Sequence, residues 1–220
     1  SLVLIQEPWL DGKGKICGLK AGGFSLYHFS YEDEGKRAYI LVKSNIHFLF
    51  SQELSDDDTA TVALKQGVDT IYFVSAYFPG NEDSGIPNQK VIDITLSKKK
   101  VVVGCDANAH NESYGSTNTN FRGECLLDFI IDNDLNICNR GKESTHIFGN
   151  GLRKEVLDVT FSSLSLVSCI KDWKVWDIDS FSDHRFVKFN VDITLELRPP
   201  SRNPRKTNWE TFREEIGSRT

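Results

Sequence analysis

Methionine is absent from the 220-residue sequence, and so is any cysteine pattern typical of a metal cluster or a disulfide framework. The cysteines are odd in number and widely spaced, and no two of them form a Cys-x-x-Cys pair. This arrangement argues against zinc clusters and disulfide scaffolds, so we expect reduced thiols. The five positions are Cys17, Cys105, Cys125, Cys138 and Cys169. No apolar run is long enough to span a bilayer, which predicts no membrane partner.

The chain also lacks an excess of positive charge. Its 26 basic and 31 acidic residues give a net charge of −5, so the surface as a whole does not indicate nucleic-acid binding. A nucleic-acid partner would need local basic patches or bound metal ions. Because methionine is missing and residues 2–5 begin abruptly as an apolar run, we expect a fragment of a longer polypeptide.

The most informative stretch is residues 101–111, which read Val-Val-Val-Gly-Cys-Asp-Ala-Asn-Ala-His-Asn. A short β-branched run broken by glycine predicts a fully buried strand followed by a polar loop. Asp106, Asn108 and His110 alternate, so in an extended chain their side chains would point to one side. The alternative interpretation is an Asx-type turn that merely ends the strand.

Two further polar residues fall where strands are predicted to end. Residues 2–5 form a predicted strand that Pro8 stops, which leaves Glu7 at its end. Residues 70–77 form another, which ends at Tyr77. Each has a plain alternative: a solvated loop carboxylate for Glu7, and an amphipathic rim aromatic for Tyr77.

Acidic and imidazole groups recur in the last third of the chain. Asp158 interrupts the apolar strand predicted over residues 156–161, where a charge is unfavourable unless it is paired. An outward-facing position on a half-exposed strand is the alternative. Asp183 and His184 precede the strand predicted over residues 186–193. A histidine beside carboxylates is a candidate for catalysis or binding.

Many strands and few helices indicate two antiparallel-rich sheets with helices outside them, in one domain. The predicted helices span residues 87–96 and 121–132. We assign residues 1–197 to this domain and residues 198–220 to a basic, proline-rich linker.

Together, the polar groups at strand ends suit metal-assisted phosphodiester hydrolysis. Carboxylates bind Mg²⁺ and leave water in its coordination shell, and the metal neutralises charge on the phosphoryl oxygens. A carboxylate–imidazole pair activates water or binds phosphate, while amide and phenol groups donate to the anionic transition state.

At these motifs the sequence resembles the endonuclease/exonuclease/phosphatase (DNase-I-like) superfamily, in particular the apurinic-type endonuclease domains of non-LTR retrotransposons. The motifs are Gln6-Glu7-Pro8-Trp9, Gly104-Cys105-Asp106-Ala107-Asn108-Ala109-His110, Arg122-Gly123, Leu157-Asp158-Val159-Thr160-Phe161 and Ser182-Asp183-His184. The segment Asn203-Pro204-Arg205-Lys206-Thr207-Asn208-Trp209 is similar to the linker that precedes the reverse transcriptase in such polyproteins.

For the metal, the resemblance implies that Glu7 is a ligand of Mg²⁺, or of Mn²⁺ in its place, and that Asp183 assists directly or through water. It gives His110, which is typical of the retroelement branch, a supporting role.

For catalysis, the resemblance implies that Asp106 and Asn108 position or activate the attacking water. His184 is then expected to contact the scissile phosphate while Asp158 orients it. Tyr77 is expected to act near the leaving group or the phosphate.

The implied fold is an α/β (α+β), four-layered sandwich of two mainly antiparallel sheets flanked by helices. The family's first strand and helix would precede Ser1, so we expect an N-terminally truncated domain. The implied activity is Mg²⁺-dependent nicking of double-stranded DNA. The 3′-hydroxyl so produced would prime a reverse transcriptase domain of the same polyprotein. Such a protein would be translated in the cytoplasm and act in the nucleus.

Two alternatives remain open. One is a phosphatase or phosphodiesterase of the same superfamily that acts on a small or lipid substrate. The other is an inactive fragment that only binds nucleic acid. If DNA is the substrate, residues 111–120 and 145–153 are the loops that we expect to contact it.

Overall fold

The computed structural model describes residues 1–13, 15–20, 22–29, 35–81, 85–149, 151–194 and 208–211. The linker predicted over residues 198–220 lies outside the described residues, apart from residues 208–211.

Thirteen strands and two α-helices are formed by the described residues. The helices are α1 (Gln89–Ser97) and α2 (Phe121–Asp132). The strands are β1 (Leu2–Gln6), β2 (Phe24–Tyr27), β3 (Ala38–Lys43), β4 (Phe48–Phe50), β5 (Thr59–Gln66), β6 (Asp69–Tyr77), β7 (Val101–Asp106), β8 (Leu135–Ile137), β9 (His146–Ile147), β10 (Lys154–Glu155), β11 (Asp158–Ser163), β12 (Ile170–Val175) and β13 (Val187–Val191). Short 3₁₀ segments cover Gln52–Leu54, Glu112–Tyr114 and Leu164–Cys169.

A six-stranded sheet with the order β4-β5-β6-β7-β11-β8 forms the centre of the fold. Its neighbouring strands are antiparallel except β6 and β7, which are parallel and are connected through α1. The register places Tyr77 beside Asp106, and Asp106 beside Asp158. These three residues, here called the strand-end row, therefore lie side by side at one edge of the sheet. Neighbouring strands are about 4.8 Å apart, so the row is about 10 Å wide.

The two faces of the central sheet bury different partners. On one face, α1 and α2 pack through Val91, Ile94, Leu126 and Ile130. On the other face, the sheet β1-β3-β2 and the pair β12-β13 contribute a second apolar cluster. Alternating residues of β7 divide between the two clusters, as expected for a strand buried on both sides. Both described α-helices thus cover the same face of the sheet.

Local hydrogen bonds and close packing fix the start of α2. The side chain of Asn120 accepts the backbone N–H of Gly123 at 2.9 Å and so caps the helix. A Cβ atom at Gly123 would lie inside van der Waals contact of the His110 carbonyl oxygen and 3.1 Å from the Tyr114 hydroxyl. Glycine is therefore needed for the loop after β7 to pack against this helix.

The predicted fold class is confirmed: this is a mixed α/β fold with two main sheets and few helices. One expectation about the central loop is wrong. Strand β7 ends at Asp106, and Asn108 has a φ of +45°, so Asp106, Asn108 and His110 do not alternate along an extended chain. Among the described residues, none of the helices has the length and apolar character needed to cross a membrane.

Candidate active site

Two aspartates face each other at the strand-end row. Asp106 is the last residue of β7, and Asp158 is the first residue of the antiparallel neighbour β11. The Asp106 residue is only 3% exposed. Two carboxylates this close repel each other unless a proton or a cation lies near them.

His184 connects the two aspartates. Its Nδ1 lies 2.9 Å from the Asp158 Oδ2 atom, and its Nε2 lies 3.7 Å from the Asp106 Oδ2 atom. The carboxylate of Asp158 accepts the Nδ1–H and so fixes the orientation of the ring. The ligand atoms of Asp106, Asp158 and His184 all lie within 4.8 Å of one another, a spacing that a metal ion can use.

The same contacts shift the acidities of these groups. Burial, and then the negative charge of Asp158, raise the pKa of Asp106 to about 7. Burial of the His184 ring favours its neutral form. The hydrogen bond with Asp158 and the charges of Asp158, Asp106 and Asp183 outweigh it and raise the pKa of His184 to about 9. The site therefore combines a weakened acid with a strengthened base.

Asn108 lies in the turn that follows β7. Its backbone N–H donates to the Asp106 Oδ1 atom at 3.2 Å, and its amide donates to the Phe78 carbonyl, also at 3.2 Å. Arg122, in the first turn of α2, donates to the carbonyl oxygens of Asn108 and Pro79 at 3.2 and 2.8 Å. Asn108 is thus fixed beside Asp106 from two directions.

Glu7 and Tyr77 form the other end of the site. Glu7 has a φ of +43°, and its N–H donates to the Arg37 carbonyl at 2.7 Å. Burial, a hydrogen bond with Glu7 and the charges of Glu7 and Asp106 raise the pKa of Tyr77 to about 12. The Arg37 guanidinium lies 4.9 Å above the Tyr77 ring. Tyr77 is therefore a neutral hydrogen-bond donor at ordinary pH.

Asp183 belongs to a second group with His146 and His184, whose ligand atoms also lie within 4.8 Å of one another. The His146 Nε2 atom is 3.4 Å from the Asp183 carboxylate, and the His146 and His184 ring centroids are 4.6 Å apart. Burial raises the pKa of Asp183, but a hydrogen bond from Ser182 and the charges of His184 and His146 lower it overall.

His146 was not among the predicted site residues. Burial and the charge of His184 lower its pKa, and its Nδ1 atom is buried with no hydrogen-bond partner among the described residues. The sequence predicts a loop over residues 145–153, because Gly149 and Gly151 are typical of loops. In the structure, His146 and Ile147 form β9, which pairs with β10. A two-residue strand leaves no periodic signal in a sequence.

Thr145 and Asn139 hold the backbone of Asp158 in place through hydrogen bonds. The Thr145 hydroxyl oxygen accepts the backbone N–H groups of Leu157 and Asp158 at 3.1 and 3.0 Å. The Asn139 amide donates to the Asp158 carbonyl at 3.0 Å. These bonds set where β11 begins, and hence where its carboxylate lies.

His110 lies apart from these groups. Its Nδ1 atom is 2.8 Å from the Asn118 side-chain oxygen, and its N–H donates to the Asn120 side chain. Neither of the metal-capable groups found among the described residues includes it.

Of the two loops expected to contact DNA, residues 111–120 are partly internal. Asn111, Tyr114 and Ser116 are buried, and Thr117 donates to the buried Glu155 carboxylate. Only the remaining part of this loop is accessible. The described part of the other loop, residues 145–149 and 151–153, contains β9 and leads to β10, and Leu152 there is 88% exposed.

The comparisons with known proteins identify the family and the fold of this chain. The sequence profile of a family described as "Endonuclease-reverse transcriptase" matches residues 71–188, more than half of the chain. That span includes the strand-end row and His184 but not Glu7. None of the curated proteins compared with the sequence matches it.

Solved structures share the fold. The endonuclease domain of TRAS1, a telomere-specific non-LTR retrotransposon, superimposes with a TM-score of 0.72 and 25% identity, over 87% of this chain and 86% of that one. A 3′-5′ exonuclease (NExo) from Neisseria meningitidis gives 0.59 and 15% identity, over 87% and 89%. The AP endonuclease LMAP from Leishmania major gives 0.59 and 14%, over 90% and 78%. The last two comparisons concern the fold alone.

Proposed function

This chain belongs to the endonuclease–reverse transcriptase family of the endonuclease/exonuclease/phosphatase (DNase-I-like) superfamily, and from that premise we propose that it is a Mg²⁺-dependent endonuclease that nicks double-stranded DNA. The observation that carries the proposal is the Asp106–His184–Asp158 arrangement, with Nε2 and Nδ1 of one imidazole 3.7 and 2.9 Å from the two carboxylates.

The donor set fits a hard divalent cation. Asp106, Asp158, Glu7 and Asp183 offer carboxylate oxygens, which Mg²⁺ prefers, and Mn²⁺ accepts the same ligands. The raised pKa of Asp106 supports the fit, because it reports a buried acidic pair whose repulsion a cation would relieve. We propose that Glu7 binds the ion and that Asp183 assists directly or through water. When bound, the metal would neutralise charge that develops on the phosphoryl and leaving oxygens.

The other steps, which are proton transfer, orientation of the water and binding of the phosphate, are assigned to residues of the chain. The Asp106 carboxylate accepts the proton of the attacking water, and Asn108, fixed beside it, orients that water and the phosphate. His184, charged at neutral pH, donates its Nε2–H to a phosphate oxygen while Asp158 holds its Nδ1–H. At the other end of the strand-end row, the Tyr77 hydroxyl donates a hydrogen bond to the leaving oxygen or to the phosphate. Water attacks phosphorus and the bond to the 3′ oxygen breaks. The leaving oxygen takes a proton from solvent water, to which Asp106 returns the proton it accepted, so a 3′-hydroxyl and a 5′-phosphate remain.

The biological setting is part of the same proposal. The neighbour TRAS1 is a telomere-specific non-LTR retrotransposon, which supports a retrotransposon origin. The 3′-hydroxyl would then prime a reverse transcriptase domain of the same polyprotein. This chemistry requires access to chromosomal DNA, so we propose that the protein acts in the nucleus after translation in the cytoplasm. His110 would have only a supporting role, outside the reacting groups.

A supercoiled-plasmid nicking assay with Mg²⁺ tests the proposal. We expect the wild type to convert supercoiled plasmid to open circles, and Asp106→Ala and His184→Ala to lose this activity. Asp132→Ala on the exposed face of α2 and His47→Ala at an exposed position are matched controls that should cut normally. Equal nicking by all variants would contradict the assignment. Release of phosphate from a phosphoinositide without DNA cleavage would favour a lipid phosphatase instead.

A further inference from the structure

Two aromatic side chains next to the site are almost fully exposed. Phe181 precedes Asp183 by two residues and is 95% exposed, and Trp9 follows Glu7 by two residues and is 82% exposed. Neither residue has a role in the hydrolysis described above. Large aromatic side chains contribute most when they are buried, so their exposure beside one site indicates a binding role.

Hydrogen bonds fix the loop that carries Phe181. Phe181 has a φ of +54°, a conformation that is unfavourable for a bulky residue. Its N–H donates to the Asp179 carboxylate at 2.9 Å, and the Ser180 hydroxyl donates to the His184 carbonyl. Strained residues of this kind concentrate at functional sites. The loop thus presents the Phe181 ring to solvent while it is tied to the catalytic histidine.

Trp9 lies at the base of a second closed loop. The Trp9 carbonyl accepts the Cys17 N–H at 2.7 Å, and Leu10 bridges to Ile16. The Asp11 carboxylate accepts the N–H groups of Lys13 and Lys15 at 2.8 and 2.9 Å. Trp9 is therefore anchored through its backbone, although its ring is in solvent.

The two rings come from opposite ends of the strand-end row. Glu7 is hydrogen-bonded to Tyr77 at one end of the row, and His184 is bonded to Asp158 at the other. The Cα atom of Trp9 lies within about 7 Å of that of Glu7, and that of Phe181 within about 11 Å of that of His184. Nucleotides advance by about 3.4 Å along one strand of DNA. Bases within about three nucleotides of a phosphate bound at the row are thus within reach of each ring.

The negative charge of the chain also favours DNA contacts that do not depend on positive side chains. The site is rich in carboxylates, and the chain has a net charge of −5, so phosphate attraction by the surface is weak. Stacking of a base on an aromatic ring supplies affinity without positive charge and tolerates any base. In a duplex the bases already stack on one another, so each ring would have to insert at a base step and partly unstack it.

We propose that Phe181 and Trp9 stack on bases of the DNA on the two sides of the scissile phosphate. This inference rests on the proposed function, because it takes DNA as the ligand and the strand-end row as the place of the cut phosphate. Phe181 and Trp9 are binding residues in this account, not catalytic ones.

The test compares four variants of the whole chain on a short mixed-sequence duplex. Phe181→Asn removes the ring but suits the left-handed backbone, since asparagine adopts it readily. Phe181→Trp keeps a ring, and Trp9→Ala removes the other one. Val68→Ala is the control, because Val68 is fully exposed in the turn before β6, at the end of that strand opposite Tyr77.

Binding is measured by fluorescence anisotropy with Ca²⁺ in place of Mg²⁺, and nicking is measured with Mg²⁺. We expect Phe181→Asn and Trp9→Ala each to raise Kd and KM about tenfold or more with little change in kcat. Phe181→Trp and Val68→Ala should match the wild type. A duplex that carries 5-iododeoxyuridine within three nucleotides of the cut should photo-crosslink to the peptides containing Phe181 and Trp9.

Unchanged Kd together with absent crosslinks would overturn the inference. A fall in kcat with unchanged KM and Kd would also overturn it, because Phe181 would then act through the position of Asp183. If the wild type binds and crosslinks but does not nick, the proposed function fails and stacking stands. If the wild type nicks and the ring-less variants equal it in Kd and crosslinking, only the stacking inference fails.

Discussion

Asp158 lies directly opposite Asp106 on the neighbouring antiparallel strand, and one imidazole, that of His184, contacts both carboxylates. The sheet register creates this pair, since a slip of one residue would turn one of the two side chains to the other face. The repulsion between the two acids is therefore fixed by the fold. Burial of Asp106 and then this repulsion raise the pKa of Asp106, and they prepare the site for a cation.

The first prediction concerns stability without metal. The pKa of Asp106 is about 7 in the folded protein and about 3.9 in an unfolded chain. The folded state therefore binds more protons, and wild-type stability should fall as the pH rises from about 4 to about 7. Asp106→Asn removes this loss. At pH 8 in EDTA we expect the variant to be more stable than the wild type, by on the order of 1–3 kcal/mol.

Thermal denaturation at pH 4 and pH 8 measures this difference. At pH 4 the two proteins should unfold at similar temperatures, since Asp106 is then protonated. Added Mg²⁺ should raise the melting temperature of the wild type and not that of Asp106→Asn, because ligand binding stabilises only a state that binds it. A variant less stable than the wild type at both pH values would contradict the prediction.

The second prediction concerns Gly123 in the first turn of α2. By helix propensity alone, Gly123→Ala would stabilise the protein by about 1 kcal/mol. The new Cβ atom would instead collide with the His110 carbonyl, a backbone atom that cannot move freely. We therefore expect a net destabilisation of about 3 kcal/mol in urea unfolding. Gly12→Ala, which meets nothing within 4 Å, should change the stability by less than about 0.5 kcal/mol.

Several features could be predicted from the sequence because their signals are local. The helices at residues 87–96 and 121–132 were predicted from apolar spacing and are found as α1 and α2. The buried run 101–103 predicted the central strand, but the expected break at Gly104 is wrong, because β7 continues through Gly104 to Asp106. Glycine suits this position, because a Cβ atom there would lie 2.7 Å from Leu4 of the packed second sheet.

Other features depend on long-range pairing that sequence spacing does not reveal. Asp158 and His184 are separated by 26 residues, yet their side chains are 2.9 Å apart. Only the family resemblance joined them in advance. His146 had no signal in the sequence, because its position beside His184 arises from the bridge between β9 and the segment at His184. The opposite error occurs where a regular spacing suggested contact that does not exist. The alternation of Asp106, Asn108 and His110 predicted that they share one face of an extended chain, but the positive φ of Asn108 shows that the chain is not extended there.

The third prediction concerns the support of Asp158. Thr145→Val keeps the shape of the side chain but removes the oxygen that accepts the N–H groups of Leu157 and Asp158. We expect a loss of about 1–3 kcal/mol in the free energy of unfolding, together with a lower kcat for nicking. Thr70→Val, a half-buried position on β6 near the strand end opposite Tyr77, is the control. Normal stability and nicking in Thr145→Val would show that the strand end does not depend on this hydroxyl.

The last prediction concerns the pH dependence of nicking. Catalysis as proposed needs Asp106 ionised and His184 protonated. The value of kcat/KM should therefore rise as the pH passes about 7 and fall as it passes about 9, and a bound cation should shift the acid limb to lower pH.

The variant Asp158→Asn tests this profile. Its side chain can still accept the Nδ1–H of His184, but it lacks the charge that favours the imidazolium. We expect the alkaline limb to move to lower pH and kcat to fall about a hundredfold. Asp132→Asn should leave the profile unchanged. The imidazole signal of His184, followed by NMR titration, should show the same lowered pKa. An alkaline limb that stays in place in Asp158→Asn would mean that His184 does not act as the charged donor, whatever the plasmid assay shows.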